Sequence, residues 1–230
     1  LWATLRICKS MNIEKEFQDL KKVVEECGEY AREYFYSPVN PNTQKEDGSL
    51  VTEIDEKIEQ IIRAHVEERF PEDTIVGEEG DTKKGTSGFV WFIDPIDGTE
   101  NFTRKIPIFS VTATRLGPTP EDSFAIVYNP ISGQFFSSVM ENGTYENEHL
   151  LNMTADTLGG RVRVSVSGDT KYESWIRPAV LNLWKGVYNK LGKSGSMDSA
   201  LLEFGYVASG RLDGFLGVHY KPWDSAAGLY

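Results

Sequence analysis

Three stretches of this 230-residue chain gather carboxylates where a strand should end or a helix begin: Gly77-Glu78-Glu79-Gly80, Asp94-Pro95-Ile96-Asp97-Gly98-Thr99 and Trp223-Asp224-Ser225-Ala226-Ala227-Gly228. In the second, Asp94 closes an apolar run, Pro95 stiffens the exit and Asp97 stands three residues on. Two carboxylates and the Ile96 carbonyl can then converge at one strand end. Hard oxygen donors of this kind suit Mg²⁺, which keeps several waters and shares its ligands with a substrate phosphate. The Gly98 and Thr99 amides would open a turn or helix, a place where phosphate binds well. One short segment could thus hold a cation and an anion side by side.

Taken singly, each acid has an ordinary explanation. Asp-Pro and Asp-Gly are common turn dipeptides. Glu78 and Glu79 read as a solvated acidic loop, Asp224 as a helix N-cap, and Asp55, three residues after Thr52, as the acid of a capping box. Their conjunction tips the balance, because two carboxylates directly after a dry strand are costly to bury unless paired. Other catalysts are missing. There is no G-x-S-x-G elbow and no G-x-G-x-x-G. Gly192-Lys193-Ser194 resembles the end of a phosphate loop, but Gly186 lies one residue too far upstream. His65, His149 and His219 are scattered without zinc-type spacing, and His65 reads as a core histidine on the apolar side of a helix. Chemistry here rests on carboxylates.

The elements that must position them are legible from periodicity. Ile13, Phe17, Leu20, Val24, Cys27, Ala31 and Tyr34 form the apolar stripe of a long amphipathic helix beginning after Met11. Pro38 to Asp47 breaks it. A second helix carries Ile54, Ile58, Ile61, His65 and Phe70 on one side and ends at Pro71. Strands are expected over 74–76, 89–93, 109–116, 124–128, 135–139, 162–166 and 212–218, with the 89–93 run buried on both faces. Asn129-Pro130 and Asn142-Gly143 supply turns. Helices are expected around Ile176–Leu191 and Met197–Ala208, the latter ended by Gly210, and a last one opens at Trp223-Asp224. The class is mixed α/β, with layered sheets and helices.

Composition narrows the partners. With 24 Lys+Arg against 35 Asp+Glu the formal charge is −11, which disfavours nucleic acid and anionic membrane surfaces. No apolar run approaches the roughly 20 residues of a membrane helix. Two cysteines, Cys8 and Cys27, imply no disulfide framework and a reducing, cytoplasmic setting. Residues 1–11 read as a leader, 12–150 as an N-terminal subdomain with most of the acids, and 151–230 as a second subdomain that stops inside a helix opening.

At these residues the chain resembles the inositol monophosphatase family, within the Mg²⁺-dependent, lithium-sensitive sugar-phosphate phosphatases. The match is carried by Gly77-Glu78-Glu79, by Trp91-Phe92-Ile93-Asp94-Pro95-Ile96-Asp97-Gly98-Thr99-Glu100-Asn101-Phe102, and by Pro222-Trp223-Asp224-Ser225-Ala226-Ala227-Gly228. Weaker support comes from Lys45 to Thr52 running into Asp55 and from Gly210-Arg211-Leu212-Asp213. The resemblance implies the layered αβαβα sandwich of the inositol monophosphatase and fructose-1,6-bisphosphatase type, with its last helix and strands supplied by a tail after Tyr230. It implies a phosphomonoesterase acting on a small phosphorylated substrate, two to three Mg²⁺ ions, and a homodimer. Glu78, Asp94 and the Ile96 carbonyl would hold one ion; Asp94, Asp97 and Asp224 a second; Glu79 and Asp55 would support a third and its water. Gly98 and Thr99 amides would bind phosphate, and the Thr99 hydroxyl with Asp55 would orient the attacking water. Asp97, Ala200, Gly217 and Asp224 fall at substrate-contacting positions. Inositol-specialised members place a Glu where this chain has Gly217, and Ser194 to Ala200 departs from the commonest family form. Inositol 1-phosphate therefore leads only narrowly over histidinol phosphate, fructose 1,6-bisphosphate and 3′-phosphoadenosine 5′-phosphate. A catalytically idle metal- or phosphate-binding module is the alternative of another class.

Overall fold

The computed structural model describes residues 2–38, 42–44, 50–139, 143–152, 162–168, 175–191 and 193–229, with the backbone alone described for 2–12, 42–44 and 50–52. Lys45 to Ser49, Asn142 of the expected Asn-Gly turn and the side chain of Thr52 lie outside the described set.

Helix α1 runs over Trp2–Tyr36. Its helical backbone starts well before Met11, and no Pro or Gly between residues 2 and 11 interrupts it. Ile13, Phe17, Leu20, Val24, Cys27, Ala31 and Phe35 are buried, so Phe35 takes the place expected of Tyr34. A short antiparallel pair, β1 (Asn42–Gln44) and β2 (Leu50–Thr52), leads into α2 (Glu53–Arg69). The buried face of α2 is Ile54, Ile58, Ile62 and Val66, an i, i+4 row. Ile61 and His65, expected in the core, are only half-buried; the expected spacing is itself helical, and the face that packs is turned about the helix axis toward Ile62 and Val66.

The main sheet holds β3 (Thr74–Gly77), β4 (Val90–Asp97), β5 (Ser110–Leu116), β6 (Phe124–Asn129), β7 (Gln134–Val139), β8 (Thr144–Glu146) and β9 (His149–Leu150), in that order. Only β3 and β4 are parallel; the rest is an antiparallel meander. The expected end of β4 at Ile93 is corrected: the strand continues through Pro95 to Asp97. It does so by a bulge, since Asp94 pairs with Thr112 and Asp97 with Ser110. Three steps on one strand face two on the other, and a proline without an amide is tolerated there. Side chains alternate faces along a strand, so the extra residue puts Asp94 and Asp97 on the same side. The outer half of β4 alternates rather than being buried on both faces, with Trp91 and Ile93 buried and Val90 and Phe92 half-buried.

Two faces of the main sheet have separate cores. Phe124 and Ile126 join Trp91 and Ile93 under α1 and α2, whereas Val127 and Phe136 meet Leu201 and Leu202 on the other side. Those leucines belong to α5 (Ala200–Ala208), which packs with α6 (Ala226–Leu229) against β5 and β6. Beyond α5 lies a second, parallel sheet in which β10 (Val164–Gly168) is flanked by β11 (Ser194–Gly195) and β12 (Gly214–Val218). Helix α4 (Ile176–Leu191) covers its outer face. The order helices, sheet, helices, sheet, helix is the expected αβαβα layering. Among the described residues no helix is long and apolar enough to cross a membrane.

Candidate metal centre

Glu78 follows β3, and its amide bonds to the Ile93 carbonyl of the neighbouring β4 at 3.2 Å. Parallel pairing therefore puts Glu78 beside Asp94, the next residue of β4. Asp224 reaches the same place from a turn after β12. That turn is closed by Asp224 itself, whose Oδ2 accepts the Lys221 amide at 2.9 Å while its own amide donates to the Lys221 carbonyl at 3.1 Å. Ligand atoms of Glu78, Asp94 and Asp224, residues separated by up to 146 positions, lie within 4.8 Å of one another.

Asp94 is 2 % exposed, and its Oδ1 has no hydrogen-bond partner. Burial first, then the charges of Glu78, Asp97, Asp224 and Asp55, push its carboxyl well above the usual range. Three carboxylates at this spacing repel one another and take up protons unless a cation joins them. A hard divalent ion held by oxygen donors fits both the donor set and the buried, unpartnered Oδ1.

Asp97 has a different set of contacts. Its Oδ2 accepts from Ser199 Oγ (2.6 Å), the Leu201 amide (2.9 Å) and Ser110 Oγ (3.2 Å), and its Oδ1 from the Ala200 amide (3.0 Å). It thus caps the first turn of α5 from the far side of the chain. Burial raises its pKa despite those four donors. Each carboxylate oxygen has two lone pairs, so Oδ1 retains one. The structure groups Glu78, Asp94 and Asp224 and directs Asp97 to the neighbouring segment, in direct contact with Ala200.

Thr99 opens the short helix α3 (Thr99–Thr103), preceded by Gly98 at φ +93°. A Cβ on Gly98 would lie 3.0 Å from the Asp198 carbonyl oxygen and 3.1 Å from that of Ile108, so glycine is required twice over. The Thr99 hydroxyl is 3.0 Å from the Ile96 carbonyl and 3.3 Å from Oδ1 of the fully buried Asp55. Three of the sequence candidates, Asp55, Ile96 and Thr99, therefore meet at one hydroxyl. Gly217 sits exposed on β12.

Several residues that shape the site were not read from the sequence. Glu59, 2 % exposed on α2, accepts the Glu79 and Gly80 amides at 2.7 and 2.8 Å, with Arg63 Nε 2.6 Å away. The i, i+4 pair of Glu59 and Arg63 was the available signal. Asn101 donates through Nδ2 to the carbonyls of Met197 (2.7 Å) and Ile108 (2.8 Å). Glu203, fully buried, accepts the Met197 amide at 2.5 Å and Ser165 Oγ at 2.6 Å. The segment 197–201 is thus held by Asp97, Asn101 and Glu203 together.

Comparison with known proteins agrees with this architecture. The family model described as "Inositol monophosphatase family" matches residues 14–230. The Nus factor SuhB of Escherichia coli K12 is 33% identical over 189 residues, spanning 81% of this chain and 69% of that protein. The inositol-1-monophosphatase of Bacillus subtilis is 28% identical over 210 residues, 90% of this chain and 78% of its own. Among solved structures, the Thermotoga maritima IMPase superposes with a TM-score of 0.78 at 25% identity, covering 94% of this chain and 81% of that one. The extragenic suppressor protein suhB of Bartonella henselae shares the fold, with a TM-score of 0.80 at 24% identity over 95% and 82% of the two chains.

Proposed function

The chain belongs to the inositol monophosphatase family, and from that premise we propose that it is a Mg²⁺-dependent phosphomonoesterase acting on a small sugar or polyol phosphate, with inositol 1-phosphate as the reference substrate. The observation that carries the reading is the meeting of Glu78, Asp94 and Asp224 around a buried carboxylate oxygen with no partner of its own. Bound Mg²⁺ would supply charge neutralisation of the phosphate dianion, a water of lowered pKa and stabilisation of the leaving alkoxide.

The chain's own groups do the rest in this reading. Glu78, Asp94, the Ile96 carbonyl and Asp224 hold the ions, and Asp97 joins them through its remaining Oδ1 lone pair. Gly98 and Thr99 amides grip phosphate oxygens at the start of α3. The Thr99 hydroxyl donates to Asp55, which leaves an oxygen lone pair to accept a proton from the attacking water. Glu79 lies next to Glu78 on the loop that Glu59 braces, and supports the water. Ala200 and its neighbours, fixed to Asp97, contact the leaving group. A cytoplasmic homodimer is the proposed setting.

The test is phosphate release from a panel of monoesters with and without Mg²⁺, for the wild type, Asp94→Asn and Asp224→Asn. Mg²⁺-dependent release that both substitutions reduce by at least a hundredfold is expected; activity untouched by them would overturn the reading. The relative named a Nus factor supports a second reading, in which the folded chain acts by binding alone. That reading expects Mg²⁺ binding by calorimetry with no turnover of any ester.

A further inference from the structure

Tyr220 lies at the edge of the site and is part of none of the motifs. It immediately precedes Lys221, whose amide is held by Asp224 Oδ2 at 2.9 Å, so the cluster itself fixes its backbone. Its ring lies against Gly217: a Cβ at 217 would sit 2.7 Å from the ring carbons Cδ2 and Cε2. The ring packs on Phe215 with centroids 5.8 Å apart, and Phe215 packs edge-on against Phe204 of α5 at 4.8 Å. Burial, followed by the charges of Asp97, Glu203 and Asp224, suppresses ionisation of the Tyr220 hydroxyl. An aromatic wall therefore stands beside the carboxylates that bound the site, and Tyr220 is half-buried in it.

A polyol leaving group carries a hydroxyl on every carbon, and each one taken out of water needs a partner. This wall supplies few: Gly217 has no side chain, Phe204 and Phe215 have no polar side-chain atoms, and the Tyr220 hydroxyl is the single polar group among the four. A flat ring needs no directional partner and gains by stacking on an aromatic face. We propose that Tyr220 sets the leaving-group preference of this site, favouring sugar phosphates that carry a flat ring, such as a nucleoside, over a fully hydroxylated polyol. This inference rests on the phosphatase reading above and names its substrate class.

The experiment compares kcat/KM of the full chain with Mg²⁺ for 2′-AMP, p-nitrophenyl phosphate and inositol 1-phosphate. The wild type is expected to favour 2′-AMP over inositol 1-phosphate about tenfold. Tyr220→Leu should remove that preference through a higher KM for 2′-AMP, with inositol 1-phosphate turnover within about twofold of wild type, while Tyr220→Phe keeps the preference. If p-nitrophenyl phosphate follows 2′-AMP, any flat ring is read; if it follows inositol 1-phosphate, the nucleoside is read. Should Tyr220→Leu fail to fold, adenosine is titrated into the Mg²⁺- and phosphate-loaded wild type. Shifts of the Tyr220 ring resonances support the proposal and their absence overturns it. Phosphate release with a ratio unchanged in folded Tyr220→Leu, or a wild type that prefers inositol 1-phosphate, overturns this inference alone. No release from any ester overturns the phosphatase reading, and this inference with it.

Discussion

The Glu59 carboxylate, buried on α2, forms an ion pair with Arg63 one turn later, with Nε 2.6 Å from Oε1. Both oxygens also accept amides of the loop that carries Glu78 and Glu79, and Arg63 Nη2 returns to the Gly80 carbonyl at 3.1 Å. The helix that carries Asp55 thus also braces the loop that carries Glu78 of the carboxylate cluster. Glu59→Ala leaves a half-buried guanidinium and two amides without their acceptor, at a cost of about 3 kcal/mol. Glu59→Gln keeps an acceptor oxygen and should recover part of that. Thermal unfolding and Mg²⁺ titration calorimetry check both: the alanine variant is expected to unfold earlier and bind Mg²⁺ about tenfold more weakly, the glutamine variant to fall between.

Asp94→Asn tests the repulsion within the cluster. Removing one charge from the group of Glu78, Asp94 and Asp224 relieves repulsion in the metal-free protein and removes a ligand from the loaded one. In EDTA its Tm should equal or exceed that of the wild type. With Mg²⁺ the wild type should rise by several degrees and the variant should stay where it was. Differential scanning fluorimetry under both conditions reads the pair.

Ser199→Ala removes the shortest of the hydroxyl contacts to Asp97, 2.6 Å, at a serine only 1 % exposed. Three donors to Asp97 remain, so a loss of about 1–2 kcal/mol is expected. Because the bond joins Asp97 to the α5 segment next to Ala200, KM should rise more than kcat falls. Steady-state kinetics beside urea unfolding separate the two effects.

Burial pushes the Glu203 carboxyl up to about 7, outweighing the donors Ser165 and Met197. In the unfolded chain it titrates in the ordinary carboxylate range, so the folded state holds the extra proton in between. Its contribution to stability is full below that range and is lost as pH rises through about 7. Wild-type stability should therefore decline between about pH 5 and pH 8, by at most about 3 kcal/mol from this group. Glu203→Gln should flatten that part of the profile, as measured by chemical denaturation across the pH series.

Much of the fold was legible because burial has a period. The α1 stripe emerged within one residue at its end, and the order of strands from Thr74 to Val139 followed from apolar runs between turns. What escaped depended on partners remote in sequence. Ile62 and Val66 replace Ile61 and His65 because α2 rotates to fit the sheet, and no local spacing encodes that choice. The acids after each strand were visible as clusters, and Glu78, Asp94 and Asp224 do meet. Glu59, Asn101 and Glu203 were not visible as site residues, since each works through backbone amides or carbonyls far along the chain. Asp97 was read as a ligand from its spacing; its attachment to the first turn of α5 needed the third dimension.

The bulge in β4 makes residue number, as well as residue type, part of this site. Deleting Ile96 would keep every carboxylate and leave Asp94 and Asp97 two positions apart, still on one face, but it would remove the bulge and with it the Ile96 carbonyl that meets the Thr99 hydroxyl. Inserting a residue between them would turn one acid into the opposite layer of the sandwich unless the bulge widened to absorb it, with its own charge to bury and no companion there. A single-residue indel at this strand is thus a more severe lesion than most substitutions in it, and a matching composition at the motif is no guarantee of a working one.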